Sequence, residues 1–129
     1  MKARVLVAEK NEPVRAAIVN ALVDAGYGVV KATDSLSALR ILEWVPIDAM
    51  LLDLGAPMTN LLFVLRHLTP PCAPVVIAYS SSPDDQIEEL HAHVGQTVFR
   101  HLQRPASADD LVAAVEDALA GQLVEAGAR

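Results

Sequence analysis

Five short apolar runs, each followed by a segment of helical periodicity, constrain the fold of this chain more than any other feature. The runs are Val5–Ala8, Val29–Ala32, Ala49–Leu52, Val75–Ala78 and the weakly alternating Thr97–Leu102. Unbroken apolar runs of this length suit strands buried on both faces. Strands alternating with helices predict a parallel sheet covered by helices on both sides. The expected class is therefore α/β, with a βα unit repeated five times. The chain's 129 residues suffice for one domain and one core.

The helix signals fall between these runs. Asn11 is placed to cap a first helix, with Pro13 in its first turn, Val14, Ile18, Leu22 and Ala25 on one face and Gly26 at its end. Asp34 or Ser35 caps a second helix with Leu36, Leu39, Leu42 and Val45 inward, ended by Pro46. A short helix is expected over Asn60–Leu68, whose Leu61–Leu65 run is a candidate contact surface. Another helix starts at Ser82, with Ile87, Leu90 and Val94 on its buried face. Ser107 to Asp110 opens the last helix, with Leu111, Val115, Ala118 and Leu119 inward. Residues 1–121 read as the folded domain and 122–129 as a frayed tail.

Composition narrows the function. Hydrophobic residues make up 53% and charged residues 20%, which is globular and not disordered. The formal net charge of -6 and the absence of a basic stripe argue against nucleic-acid binding. No apolar run approaches the roughly 18 residues that span a bilayer, so no membrane partner is expected. The start, MKARVLVAEK, does not have the form of a signal peptide, and a cytoplasmic location is expected. One cysteine, Cys72, allows neither an internal disulfide nor a thiolate cluster. His67, His91, His93 and His101 lack metal-ligand spacing. Neither G-x-G-x-x-G nor G-x-x-x-x-G-K-[ST] occurs.

The stretch Ile47–Pro57, IDAMLLDLGAP, carries the main chemical signal. Its apolar run leads straight into Asp53, then Gly55 and Pro57. Asp53 falls at the carboxyl end of a buried strand, where open α/β sheets place their ligands. It is a candidate reactive carboxylate; the alternative is a helix-cap or loop acid.

With VLVAEKNEPVR, APVVIAYS and HLQRPAS, this stretch makes nearly the whole chain resemble the bacterial response-regulator receiver domain. The resemblance implies a flavodoxin-like (βα)5 fold with strand order 2-1-3-4-5. It implies signalling in a two-component phosphorelay, with a histidine kinase as partner and Mg²⁺ as cofactor. Asp53 takes the phosphoacceptor position. Glu9, Asp53 and the Gly55 carbonyl take metal-ligand positions. Ser80 or Tyr79 stands at the hydroxyl position, and Arg104 before Pro105 stands where the family has Lys. The Arg104–Pro105 bond is the candidate cis peptide. A second copy of the chain is a further candidate partner. The resemblance implies a signalling domain, at most one that phosphorylates itself from a phosphodonor.

Several residues depart from the pattern. Lys10 stands where the second, directly ligating acid belongs, and an ammonium group repels Mg²⁺. Counting from Pro74 puts Tyr79 at the hydroxyl position, while Ser80 needs a slip of one residue. Leu61 replaces a turn glycine, Arg104 is not equivalent to Lys, and the aromatic switch position falls on His101 or Phe99. Opposite charges about 4 Å apart attract by about 4 kcal/mol at an effective dielectric of 20, before desolvation. A Lys10–Asp53 contact is therefore expected to replace the metal, leaving Mg²⁺ weakly held or absent; a lysine with its head group in water is the alternative. Three functions stay open: a phosphoaccepting receiver, a phosphorylation-independent pseudo-receiver used for docking or dimerisation, and a flavodoxin-like enzyme or ligand binder.

Overall fold

The computed structural model describes residues 2–53, 74–80, 98–103 and 107–127. Five strands are described, β1 (Arg4–Ala8), β2 (Gly28–Ala32), β3 (Ala49–Asp53), β4 (Val75–Ser80) and β5 (Val98–Gln103). Three helices accompany them, α1 (Glu12–Asp24), α2 (Ser35–Trp44) and α3 (Ala108–Gly127). The expected helices at Asn60–Leu68 and after Ser82, the Leu61–Leu65 surface, Cys72 and the Arg104–Pro105 bond lie outside the described residues.

All strand pairs are parallel, in the order β2-β1-β3-β4-β5. The order of the first four strands is the one the receiver resemblance implies. At the outer edge, β5 pairs with β4 through a register shift between Val76 and Ile77. The apolar residues of β1 and β3 explain their central position, since Val5 to Ala8 and Ala49 to Leu52 are all buried. Period-two alternation splits them between two faces. Leu6, Ala8, Met50 and Leu52 pack with Ala38 and Leu39 of α2. Val5, Val7, Leu51, Ile77 and Tyr79 pack with Ile18 and Leu22 of α1 and with Leu111 and Val115 of α3.

Asp48 fastens the central register at the amino ends of the strands. Its carboxylate accepts from the Arg4 N–H at 2.8 Å, and its own N–H donates to the Arg4 carbonyl at 2.9 Å. Its carbonyl accepts from the Val75 N–H at 3.1 Å. One residue thereby ties β1, β3 and β4 together.

The helix ends follow local chemistry. Asn11 Oδ1 accepts from the Val14 N–H at 3.1 Å, capping α1. Asp34 Oδ1 accepts from the Ser37 N–H at 2.6 Å, which settles the cap of α2 and lowers the Asp34 pKa. Ser107 and Asp110 form a reciprocal capping box at 3.0 and 3.1 Å. Past α1, Gly26 takes φ +98°, the left-handed turn that ends the helix.

Some sequence expectations change. Leu36 is exposed, and Ala38 takes its place in the core. At 100° per residue the two lie almost opposite each other around α2, so burying Ala38, Leu39 and Leu42 turns Leu36 outward. Trp44 also faces solvent, 83% exposed. The helix α3 continues to Gly127, where a frayed tail was expected after about Gly121. β4 extends past Ala78 to Ser80 because it stays paired with β3 up to Asp53 and with β5 up to Gln103. Among the described residues no helix is long and apolar enough to cross a membrane.

Gly26→Ala tests the end of α1. A Cβ there meets only the Lys2 side chain, at 3.6 Å or more, so the cost is that of a left-handed backbone. Urea unfolding is expected to show a loss of about 1–2 kcal/mol.

Candidate functional site

The carboxyl ends of β1, β3 and β4 bring three side chains into a row. Ala8 pairs with Leu52, so Glu9 emerges beside Asp53. On the other side, Asp53 pairs directly with Tyr79. Positions 5, 7, 49, 51, 75, 77 and 79 share the face covered by α1 and α3. Alternation therefore points Glu9, Asp53 and Tyr79 to that same face.

Glu9 is the centre of the cluster. It is 1% exposed and is the buried charged residue of the described core. The Tyr79 hydroxyl donates to Glu9 Oε1 at 3.0 Å. The Asn11 N–H donates to Glu9 Oε2 at 3.1 Å. A further hydrogen bond joins the Glu9 and Asp53 carboxyls. Burial pushes the Glu9 pKa above the usual carboxylate range, and the bond to Asp53 and its like charge push it the same way. The bonds from Asn11 and Tyr79 oppose the rise without cancelling it. The arrangement is a pair of adjacent carboxyls in which Glu9 holds its proton more readily than an ordinary glutamate, half-open to solvent on the Asp53 side.

The loop between β1 and α1 is clamped from behind. Arg15, half-buried on α1, donates from Nη1 to the Glu9 carbonyl at 2.9 Å and to the Lys10 carbonyl at 3.4 Å. These bonds fix the backbone that carries both side chains.

Lys10 corrects an expectation. Its side chain is exposed, and among the described residues no ion pair joins it to Asp53. The physical reason is visible at Glu9. The Tyr79 and Asn11 donors already satisfy the Glu9 carboxyl, so dehydrating an ammonium group gains little.

The other expected site residues divide as follows. Glu9, Asp53 and Tyr79 are brought together. Ser80 ends β4, and its side chain lies outside what is described. Gly55 and Arg104 lie outside the described residues, as do the side chains of His101 and Phe99. Among the described residues no group of three or more His, Cys, Asp or Glu could hold a metal ion. Sequence reasoning missed the Tyr79–Glu9 bond and the Arg15 clamp. The signal for the first was the shared parity of Asp53 and Tyr79 once β4 is carried past Ala78. Arg15 gave no such signal.

The geometry matches a known architecture. A response regulator receiver domain protein (CheY-like) from Methanospirillum hungatei superimposes with a TM-score of 0.80 at 16% identity, over 95% of this chain and 98% of that one. A response regulator receiver domain protein from Clostridium thermocellum gives 0.76 at 25% identity, over 95% and 98%. A response regulator from Thermotoga maritima gives 0.75 at 20% identity, over 93% and 99%. The chain has the receiver fold. No family model and no curated protein sequence matches it. The row Glu9, Asp53, Tyr79 lies at the carboxyl ends of the strands, where open α/β sheets bind ligands.

Glu9→Gln tests the buried pair through pH. A carboxyl whose pKa is raised by folding contributes stability that is complete below its unfolded value of 4.5. That contribution is lost as pH rises through the folded value. Gln does not titrate. Urea unfolding from below pH 4.5 to neutrality is expected to show the difference between wild type and Glu9→Gln shifting in favour of the variant. A difference that does not change with pH contradicts the raised pKa.

Proposed function

We propose that this chain is a response-regulator receiver domain in two-component signal transduction, with Asp53 as its phosphoacceptor and residues 1–121 as the receiver unit. The observation that carries the proposal is the placement of Asp53 at the carboxyl end of central β3, beside the buried Glu9 carboxyl of β1. The receiver fold supports it over nearly the whole chain. The sequence holds neither G-x-G-x-x-G nor G-x-x-x-x-G-K-[ST], which weighs against the enzyme reading.

In this reading an Asp53 oxygen attacks the phosphorus of a phosphohistidine or a small phosphodonor. A P–O bond forms, the bond to the leaving nitrogen or oxygen breaks, and the leaving atom keeps the electron pair. Such transfers depend on positive charge near the transferring group. In receivers that charge comes partly from Mg²⁺. The residues of this pocket do not fit the ion. Mg²⁺ takes a near-octahedral oxygen shell at about 2.0–2.1 Å. Here Lys10 supplies no oxygen, and both Glu9 oxygens already accept hydrogen bonds. Phosphorylation of Asp53 is therefore slow in this proposal, and Arg104 and Ser80 are the remaining candidates for holding the phosphoryl oxygens. A histidine kinase or another signalling protein is the partner.

The closed state of Glu9 favours a second reading, a pseudo-receiver that docks or dimerises without phosphorylation. A phosphodonor with Mg²⁺, followed by intact mass, separates the two. The receiver reading expects a slow phosphoryl adduct that Asp53→Asn abolishes. Lys10→Asp is expected to raise its rate by about tenfold or more by adding an oxygen ligand. No adduct on wild type or Lys10→Asp supports the docking reading instead.

A further inference from the structure

The row Glu9, Asp53, Tyr79 has a consequence for which cations the pocket admits. Neighbouring strands lie about 4.8 Å apart, so Glu9 on the β1 side and Tyr79 on β4 start about 10 Å apart across β3. Their side chains nevertheless meet at 3.0 Å. The phenol therefore reaches across the end of β3 on the face to which Asp53 projects. Tyr79 is 2% exposed, so this reach is fixed by packing against the α1 and α3 side of the core.

The bond leaves both Glu9 oxygens with a hydrogen-bond donor. Oε1 accepts from Tyr79, Oε2 accepts from the Asn11 N–H at 3.1 Å, and the carboxyl also bonds Asp53. The Arg15 guanidinium, on the Glu9 and Lys10 carbonyls, holds the loop so that Glu9 stays turned inward. A divalent cation approaching Oε1 would compete with the Tyr79 donor for that oxygen and be repelled by its hydroxyl proton. Displacing the donor would take from the buried phenol its Glu9 acceptor, at a cost.

We infer that Tyr79 is the specificity-determining residue of this pocket: its hydroxyl occupies the place on Glu9 that a divalent cation would take, and so makes the pocket reject Mg²⁺. The inference deepens the proposed reading of the Asp53 pocket as a poor magnesium site and rests on it. It adds that the exclusion is set from β4, by a neutral donor, and not by the charge of Lys10 alone. Tyr79→Phe keeps the ring and its packing and removes the donor, leaving a buried carboxyl oxygen with greater need of a cation.

The test is the melting midpoint of the unphosphorylated full chain, followed by circular dichroism with and without Mg²⁺. Wild type is expected to show no shift. Tyr79→Phe is expected to gain about 4 °C, the size that follows when magnesium stands about tenfold above its dissociation constant. Adding Glu9→Gln to Tyr79→Phe is expected to abolish the gain, which a merely structural loosening would not do. Tyr79→Met is the second variant, apolar and without a donor, for use if Tyr79→Phe does not melt cooperatively. No magnesium shift in the Tyr79 variants, with a shift in Lys10→Asp, overturns the role of Tyr79 and leaves the poor-site reading standing. A magnesium shift already present in wild type overturns both.

Discussion

The parallel register of β1, β3 and β4 is the constraint on which everything at this site depends. Side chains on a strand alternate strictly, so a slip of one residue in β4 would turn Tyr79 to the other face. Asp48 prevents that slip at the far end of the strands, through its bonds to Arg4 and Val75. The buried apolar residues of β1 and β3 resist it along their length. Five residues downstream of Asp48, the same register delivers Asp53 opposite Tyr79 and beside Glu9. A core device at one end of the sheet thus positions chemistry at the other.

Electrostatics explain why the row is tolerable. Two carboxylates in contact, one of them buried, would repel in a region of low dielectric. Among the described residues the relief comes from hydrogen-bond donors and from burial that favours the protonated form of Glu9. Glu9 keeps a proton more readily than an ordinary glutamate, first because of burial and then because of Asp53. Tyr79 and Asn11 donate to its two oxygens, and Lys10 stays in water. The ammonium group would lose hydration to enter, and the Glu9 oxygens it would meet already have donors.

Much of this fold was legible because it rests on local chemistry. The apolar run ending at Asp53 announced a central strand. Asn11, Asp34 and Ser107 cap the helices that the sequence assigned to them, and Gly26 adopts the turn expected of it. What escaped was non-local. Nothing near Tyr79 in the sequence says that its hydroxyl lies on Glu9, 70 positions away. That bond follows only from the register of three strands. Leu36 misled for a related reason: helical spacing alone admits two overlapping faces on α2, and contact with the sheet chose the one centred on Ala38 and Leu39. The expected Lys10–Asp53 contact rests on Coulomb attraction alone, and the sequence does not reveal the donors that satisfy Glu9.

The residue at position 9 also matters by its length. A side chain on β1 must cover part of the gap across β3 to meet a phenol from β4. Glutamate has one methylene more than aspartate, and that extra reach lets a carboxylate held at the strand end touch both Asp53 and the Tyr79 hydroxyl. With a shorter acid the carboxylate would sit closer to its own backbone and further from β4. Glutamate at 9 and tyrosine at 79 are thus two halves of one geometric solution. Each is of limited use without the other, because a buried glutamate lacking the phenol loses a donor and a buried phenol lacking the glutamate loses its acceptor. Glu9 and Tyr79 are therefore better understood as one coupled pair spanning the sheet than as two independent residues.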